Sequence, residues 1–251
     1  HGVQISSTGL GNAVLGNSIY GNTKLGINHG SNTVYTNDGV LNSGADGQGM
    51  DHSVLTIANL VSDTLNVTGY VGSAPNQSAF AGARVEVFLA DADETEYGEG
   101  KTFLGYLTVD ANGNFSGTLD VTGKGLTDAS VITTTATSSS NNTSEFGQNF
   151  NVNGTPTDIG PNSFSVAEHT DTTSGYSVGT LNTTDPDSDD TFTYSIVGGA
   201  DAANFSTLGN ELILSDGVLD FETKSTYSVT VRTTDAGGLF YDETLTVNVT
   251  D

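Results

Sequence analysis

The sequence predicts an all-β protein made of short strands. Apolar and polar residues alternate along many runs, such as Phe192 to Ile196, and this two-residue period is typical of strands. The 251 residues include 32 Gly and only 4 Pro, and Ser, Thr and Asn are abundant, a composition that suits strands joined by tight turns. No stretch carries apolar residues at helical spacing over several turns. We therefore expect strands and turns throughout, and the length allows one large domain or two to three small ones.

The strongly negative net charge of the chain excludes some classes of binding partner. Six Lys and Arg against 30 Asp and Glu give a formal net charge of −24, which repels nucleic acid and anionic lipid surfaces. Binding of multivalent cations and adaptation to a saline habitat both account for this charge, so the motifs must decide between them. Since the chain has no Cys, disulfides, thiolate zinc sites and cysteine nucleophiles are excluded. The sequence contains no run of about 20 apolar residues, so we expect no membrane span.

The first region, residues 1–50, carries a short repeat. Gly-Asn pairs begin at Gly11, Gly16 and Gly21, and Gly2 and Gly26 begin two similar strings 26 − 2 = 24 residues apart. This pattern resembles the C-terminal coils of a right-handed parallel β-helix of the type found in large bacterial secreted proteins. A generic Gly/Asn-rich loop is the alternative. A solenoid needs about three or more repeats for stability, so we expect the chain to be a piece of a longer protein.

The second region, residues 53–152, alternates in the manner of a β-sandwich, and Asn112-Gly113 is typical of a hairpin turn. The strings Tyr97–Gly105 and Asn142–Phe146 resemble a sandwich often found directly after such β-helices in bacterial surface proteins. An acidic run from Asp91 to Glu99 is expected to form a solvated loop, with a metal site as the alternative.

The third region, residues 153–251, predicts about seven strands, the number that an immunoglobulin-like sandwich needs. The predicted strands are Ser163–Val166, Tyr176–Leu181, Thr191–Val197, a short piece near Phe205, Glu211–Leu214, Ser225–Thr233 and Leu239–Val249.

Acidic motifs in this region follow a specific order. Glu168 is followed by Asp185-Pro186-Asp187, then by Leu219-Asp220-Phe221-Glu222 and by Asp235-Ala236-Gly237-Gly238. The order resembles that of a cadherin repeat over the whole region. The resemblance implies a cadherin-like sandwich that binds calcium between consecutive domains. It also implies a calcium-binding structural or adhesion module of a large extracellular or cell-surface protein.

Spacing alone already pairs some of the acids. Alternate side chains of an extended chain share a face, so Asp185 can converge with Asp187, and Asp220 with Glu222, to offer the carboxylate oxygens that Ca²⁺ prefers. Solvated acidic turns and polar strand ends are the alternatives. The cadherin resemblance implies two half-sites. One consists of Glu168, Asp220, Glu222 and Asp251, and the other of Asp185, Asp187 and Asp235.

Two departures from the cadherin pattern bear on these half-sites. The linker Asn151–Pro156 contains no Asp, so the half-site of Asp185, Asp187 and Asp235 is expected to be weak or empty. The usual Glu-Asn pair is Glu168-His169 here, which keeps the ligand and changes its neighbour.

No enzyme is predicted. The first 45 residues contain no paired carboxylates at strand spacing, and the four His are scattered without a nucleophile or a second base. The alternative function is a non-catalytic ancillary region of a secreted β-helix polysaccharide-active enzyme, and nine Tyr keep a carbohydrate site open although Trp is absent. The expected partners are calcium, neighbouring domains of the same chain, and another cell-surface protein or a glycan.

Overall fold

The computed structural model describes residues 1–5, 11–30, 33–41, 50–91, 96–187 and 190–251. In these residues the prediction of an all-β protein is confirmed, since the regular elements other than strands are two 3₁₀ turns, Ser78–Phe80 and Ala202–Asn204. The chain divides into two compact units, unit 1 from His1 to Asn153 and unit 2 from Gly154 to Asp251. Among the described residues, no helix has the length and apolar character that a membrane span requires.

The described residues of unit 1 form nine strands in three sheets. The sheets are a parallel pair β1-β2, a sheet of order β3-β4-β7 and a sheet of order β6-β5-β8-β9. The strands are β1 Val3–Gln4, β2 Ile27–Asn28, β3 Ser53–Val61, β4 Thr64–Val71, β5 Arg84–Ala90, β6 Gly100–Thr108, β7 Asn114–Asp120, β8 Val131–Thr137 and β9 Phe150–Asn151.

The core of unit 1 follows from alternation along its central strands. In β4 every second residue is buried, including Leu65, Val67 and Val71, and Val85 and Val87 of β5 pack in the same cluster. Each of these five side chains is fully shielded from solvent. Burial of a Val or Leu side chain stabilises a fold by about 1.5–3 kcal/mol, so this cluster dominates the stability of the unit.

The predicted Asn-Gly turn forms, but it does not join paired strands. Gly113 has a φ of 93° and its N–H donates to the carbonyl oxygen of Asp110. The flanking strands β6 and β7 lie in different sheets, so the prediction of a hairpin is wrong here. The reason is that β7 pairs with β4 over seven residues, and this long-range pairing outweighs the local turn signal.

The repeat of the first region is held to the rest of unit 1 by side-chain acceptors. Gly11, Gly16 and Gly21 adopt the left-handed conformation, with φ of 72°, 62° and 68°. Their amides donate, in the same order, to side-chain oxygens of Asn142, Glu86 and Asp91 at 2.8, 2.7 and 2.8 Å. Thus the five-residue period places one N–H donor at each bend, and the rest of unit 1 supplies one acceptor for each.

The strings that begin at Gly2 and Gly26 pair in parallel. Val3 lies opposite Ile27 and Gln4 opposite Asn28, an offset of 27 − 3 = 24 residues that matches the spacing found in the sequence. Further coils of a solenoid are not seen in residues 1–5, 11–30 and 33–41. The rest of the first region lies outside the described residues.

Three buried acids, Glu86, Glu99 and Glu145, fix the amino-terminal segment, and we call them the anchoring acids. Glu99 accepts from both the backbone N–H and the side-chain amide of Asn22 at 2.9 and 3.2 Å. Glu145 accepts from the backbone N–H of His29 and Tyr35. Because Glu99 is only 1% exposed, the prediction that the run from Asp91 to Glu99 is solvated is wrong for this residue. Asp93 and Glu94 of that run lie outside the described residues.

Unit 2 is a two-sheet sandwich with a shared core. One sheet has the order β11-β18-β17-β14 and the other the order β12-β16-β15, while β10 and β13 form a separate antiparallel pair. The strands are β10 Asp158–Gly160, β11 Ser163–Ala167, β12 Tyr176–Thr180, β13 Asn182–Thr184, β14 Thr193–Gly198, β15 Phe205–Leu208, β16 Glu211–Leu214, β17 Thr226–Thr234 and β18 Phe240–Thr250.

All seven predicted strands of this region are present, with ends within two residues of the prediction. Alternation in β17 and β18 turns Val229, Val231, Leu245 and Val247 towards the core, where each is fully buried. The polar residues between these positions face outward, and Arg232 pairs with Asp242 across the two strands. The strand ends and turns carry the acidic motifs.

Candidate metal centres

The first candidate centre comprises Glu168, Asp220 and Glu222. Each offers one carboxylate oxygen, and these three atoms lie within 4.8 Å of one another. Two oxygens that bind one Ca²⁺ from opposite sides at about 2.4 Å are about 4.8 Å apart, so all three can reach a common ion. The structure therefore brings together residues that lie about 50 positions apart in the sequence.

Backbone pairing at the end of two strands creates this proximity. Glu168 follows β11, and its N–H donates to the carbonyl oxygen of Thr250 at the end of β18. The next residue, His169, donates its N–H to the carbonyl oxygen of Leu219, directly before Asp220. His169 has a φ of 61°, the left-handed region in which Asn and His are more common than most residues. Asp251 follows Thr250, and its participation in this centre stays a prediction.

The carboxylates of this centre are held in place by local contacts. Asp220 accepts from the hydroxyl and the N–H of Thr223 at 2.8 and 3.2 Å, and these hydrogen bonds lower the pKa of Asp220. Asp220 is therefore ionised at neutral pH, as a calcium ligand must be. Asp220 and Glu222 are exposed, while the Glu168 side chain is 17% exposed, so the centre opens to solvent on one side.

The second candidate centre comprises Asp185, Asp187 and Asp190, whose carboxylate oxygens also lie within 4.8 Å of one another. Asp185 accepts the N–H of Asp187 through Oδ1 at 2.8 Å, which folds this turn back on itself. Asp187 accepts the N–H of Gly154 through Oδ2 at 2.7 Å. One oxygen of Asp187 is therefore engaged by the backbone.

Asp190 carries the clearest sign of unbalanced charge. Its Oδ2 atom is buried and accepts no hydrogen bond from the described part of the chain. Burial, followed by repulsion from Asp235, Asp185 and Asp187, raises the pKa of Asp190. A cation between these carboxylates would offset both the cost of burying the charge and the repulsion between the carboxylates, because it supplies an electrostatic partner to the buried oxygen.

Asp235 was predicted as a ligand of this second centre. It is 6% exposed and uses Oδ1 to accept the N–H of Leu239 at 2.7 Å, which closes the turn between β17 and β18. Its charge acts on Asp190, so it lies beside the cluster. Whether it ligates a metal directly stays a prediction.

Sequence reasoning did not assign Asp190 to the site. The signal was present as an acidic run from Asp185 to Asp190, which also fits a solvated turn. Alternation pairs Asp185 with Asp187 but gives no place to the more distant Asp190. Only the fold of the turn brings its carboxylate back to the other two.

Comparison with solved structures finds cadherin ectodomains. The human desmocollin-1 ectodomain has a TM-score of 0.35 and 18% identity, and 79% of this chain and 39% of that chain are covered. Protocadherin gamma B7 domains 1–4 have a TM-score of 0.33 and 16% identity, with 79% and 51% covered. Protocadherin gamma B2 domains 1–5 have a TM-score of 0.34 and 14% identity, with 81% and 40% covered.

This chain thus spans between 39% and 51% of the length of these three neighbours. Superposition at this level gives no argument about function, so the case for metal binding depends on the carboxylates described above. No protein-family model matches the chain.

Proposed function

We propose that this chain is a calcium-binding structural or adhesion module of an extracellular or cell-surface protein. The observation that carries the proposal is the convergence of two sets of three carboxylates in unit 2, one of which contains the Oδ2 atom of Asp190, buried and without a hydrogen-bond partner among the described residues. Hard oxygen ligands in a flexible arrangement suit Ca²⁺, whereas Mg²⁺ demands near-ideal octahedral geometry.

The proposed role of the ion is mechanical. Each centre links a turn to a neighbouring chain segment, as Glu168 next to β18 is linked to the turn at Asp220 and Glu222. A shared cation replaces repulsion between these segments by attraction and therefore stiffens the turns. Stiff turns suit a spacer or an adhesion module, and we assign the chain no catalytic step. Its proposed partners are calcium, neighbouring domains of the same chain, and another cell-surface protein or a glycan.

We also propose that residues 1–50 are the C-terminal coils of a right-handed parallel β-helix. The support is the parallel β1-β2 pair with its 24-residue offset and the left-handed glycines between the two strands. Such coils would place the sandwiches after a solenoid, in the order found in large secreted proteins.

Calorimetry of the full chain tests calcium binding. Extracellular calcium modules bind with dissociation constants of about 10⁻⁴–10⁻³ M, so we expect saturation in millimolar calcium. At ten times the dissociation constant, one site stabilises the folded state by about 1.4 kcal/mol. For a unit of about 100 residues this free energy raises Tm by roughly 6–11 °C.

Variants assign the effect to the two centres. Asp190→Asn and Glu222→Gln should each remove part of the calcium-dependent rise in Tm, and the double variant should remove it. Glu211→Gln, at an acid of β16 that belongs to neither group of carboxylates, is the matched control and should keep the full rise. If the full chain melts identically in calcium and in chelator, or if magnesium acts as strongly as calcium, the proposal is wrong.

A further inference from the structure

A cleft in unit 1 has the size and lining of a small-ligand site. Its volume is about 480 Å³, within the range of roughly 300–1,000 Å³ that is usual for such sites. It lies where residues 33–37 pass the start of β3 and the end of β4. Three tyrosines from distant parts of the chain, Tyr35, Tyr70 and Tyr97, line it.

Hydrogen bonds hold Asn37, one of the lining residues, in place. Its side-chain amide donates to the carbonyl oxygens of His52 and Gly72 at 2.8 and 2.9 Å, and its Oδ1 accepts the N–H of His52 at 2.9 Å. The ring of His52 in turn packs edge-on against Tyr97, with centroids 5.8 Å apart and planes at 72°. The site is therefore preorganised, which reduces the entropy that a ligand must overcome on binding.

The lining offers hydrogen bonds without charge. Among the described residues, no Asp, Glu, Lys or Arg lines the cleft. Burial lowers the pKa of His52, so its imidazole is neutral at neutral pH. The hydroxyls of Tyr35 and Tyr70 make no hydrogen bond to another group in the described part of the chain, and both side chains are partly exposed. These hydroxyls are available to a ligand.

Taken together, these features select the ligand chemistry. Tyr rings present apolar faces with a polar hydroxyl at the tip, which matches a sugar ring with its C–H face and its hydroxyl groups. The uncharged lining gives no counter-ion to a uronic acid or a sulfated sugar, and the net charge of −24 repels acidic polymers. We propose that this cleft binds a neutral oligosaccharide. The site lies in unit 1, so it is independent of the calcium centres in unit 2.

Saturation-transfer NMR and titration calorimetry on the full chain test the proposal. The probes are cello-, xylo-, manno-, malto- and laminari-oligosaccharides, with an oligogalacturonate as the charged comparison. We expect at least one neutral probe to bind and the oligogalacturonate to bind at least tenfold more weakly. Chelation of calcium should leave this binding unchanged, which separates the outcome from that of the calcium proposal.

Variants locate the binding. Tyr35→Ala should lower the affinity for the tightest-binding oligosaccharide by about tenfold or more. Tyr70→Phe, which removes only a hydroxyl, should lower it by roughly two- to tenfold. Tyr20→Ala is the matched control, since Tyr20 is 56% exposed and lies outside the cleft. Circular dichroism confirms that each variant is folded. The proposal is overturned if no neutral probe binds, or if folded Tyr35→Ala and Tyr70→Phe bind as well as the wild type.

Discussion

Replacement of Glu145 by Ala should release the amino-terminal segment from the sandwich while the sandwich itself stays folded. Glu145 is 4% exposed and accepts the N–H of His29 at 3.0 Å and of Tyr35 at 2.7 Å, across 116 and 110 residues. Hydrogen bonds to a charged group contribute about 1.5–3 kcal/mol each, and a buried donor left unpaired costs about 1–3 kcal/mol. Two lost bonds therefore predict a local loss of roughly 3–6 kcal/mol.

One opposing effect reduces this loss. Burial raises the pKa of Glu145, so the buried charge itself destabilises the fold, and the Ala variant is free of that cost. We expect a net loss of about 2–4 kcal/mol after this correction. Because the folded state holds the proton more tightly than the unfolded chain, the stability that Glu145 confers falls as pH rises from the unfolded pKa near 4.5 towards the raised folded pKa.

Hydrogen exchange measured by mass spectrometry gives a local readout. In Glu145→Ala, protection should fall in peptides that contain residues 26–30 and 33–37, while β4 and β5 keep theirs. Glu145→Gln retains one acceptor oxygen and should show an intermediate loss. Asp63→Ala, an exposed acid between β3 and β4, is the control. Unchanged protection around Tyr35 in Glu145→Ala would refute the anchoring role.

Three further predictions concern stability. Leu212→Ala, in the fully buried core of unit 2, should lower the free energy of unfolding by about 2–5 kcal/mol in denaturant titration. Gly113→Ala should lower the Tm of unit 1 in calorimetry, because φ is 93° and a Cβ would lie 2.2 Å from the carbonyl oxygen of Gln77; an unchanged Tm would show that the turn relaxes freely. Burial lowers the pKa values of His29 and His52, so the free energy of unfolding should decrease as pH falls from about 6.5 through the folded pKa values. In urea melts at a series of pH values, His29→Gln should show a smaller decrease with falling pH than the wild type.

Strands in which apolar and polar residues alternate over several positions were the predictable part of the fold. The bounds of β16 coincide with the predicted strand Glu211–Leu214, along which partly exposed and buried residues alternate. The three-residue strands β10 and β13 were missed, because so short a segment has no measurable period. Their pairing is decided by the rest of the sandwich.

Some residues of the candidate sites could be predicted from the sequence, and others are brought together only by the fold. Asp220 and Glu222 were predicted together as two residues on one face of an extended segment, but the structure places them in a turn that the hydrogen bond from the N–H of Lys224 to the carbonyl oxygen of Asp220 closes. Asp190 joins its cluster only through the course of a turn, and the tyrosines of the cleft come from three separated segments. The anchoring acids were hidden for another reason, since an acid that accepts buried backbone N–H groups has the same sequence appearance as a solvated one.

The parallel pairing of β11 with β18 determines how unit 2 resists tension. These are the first and last strands of its larger sheet, and they pair over five residues from Ser163 opposite Thr246 to Ala167 opposite Thr250. A force that pulls β11 by its amino end and β18 by its carboxyl end acts along both strands in opposite directions. The evenly spaced hydrogen bonds between them are then sheared together instead of being unzipped one by one. Rupture requires the whole ladder to fail at once, so all of its hydrogen bonds share the load.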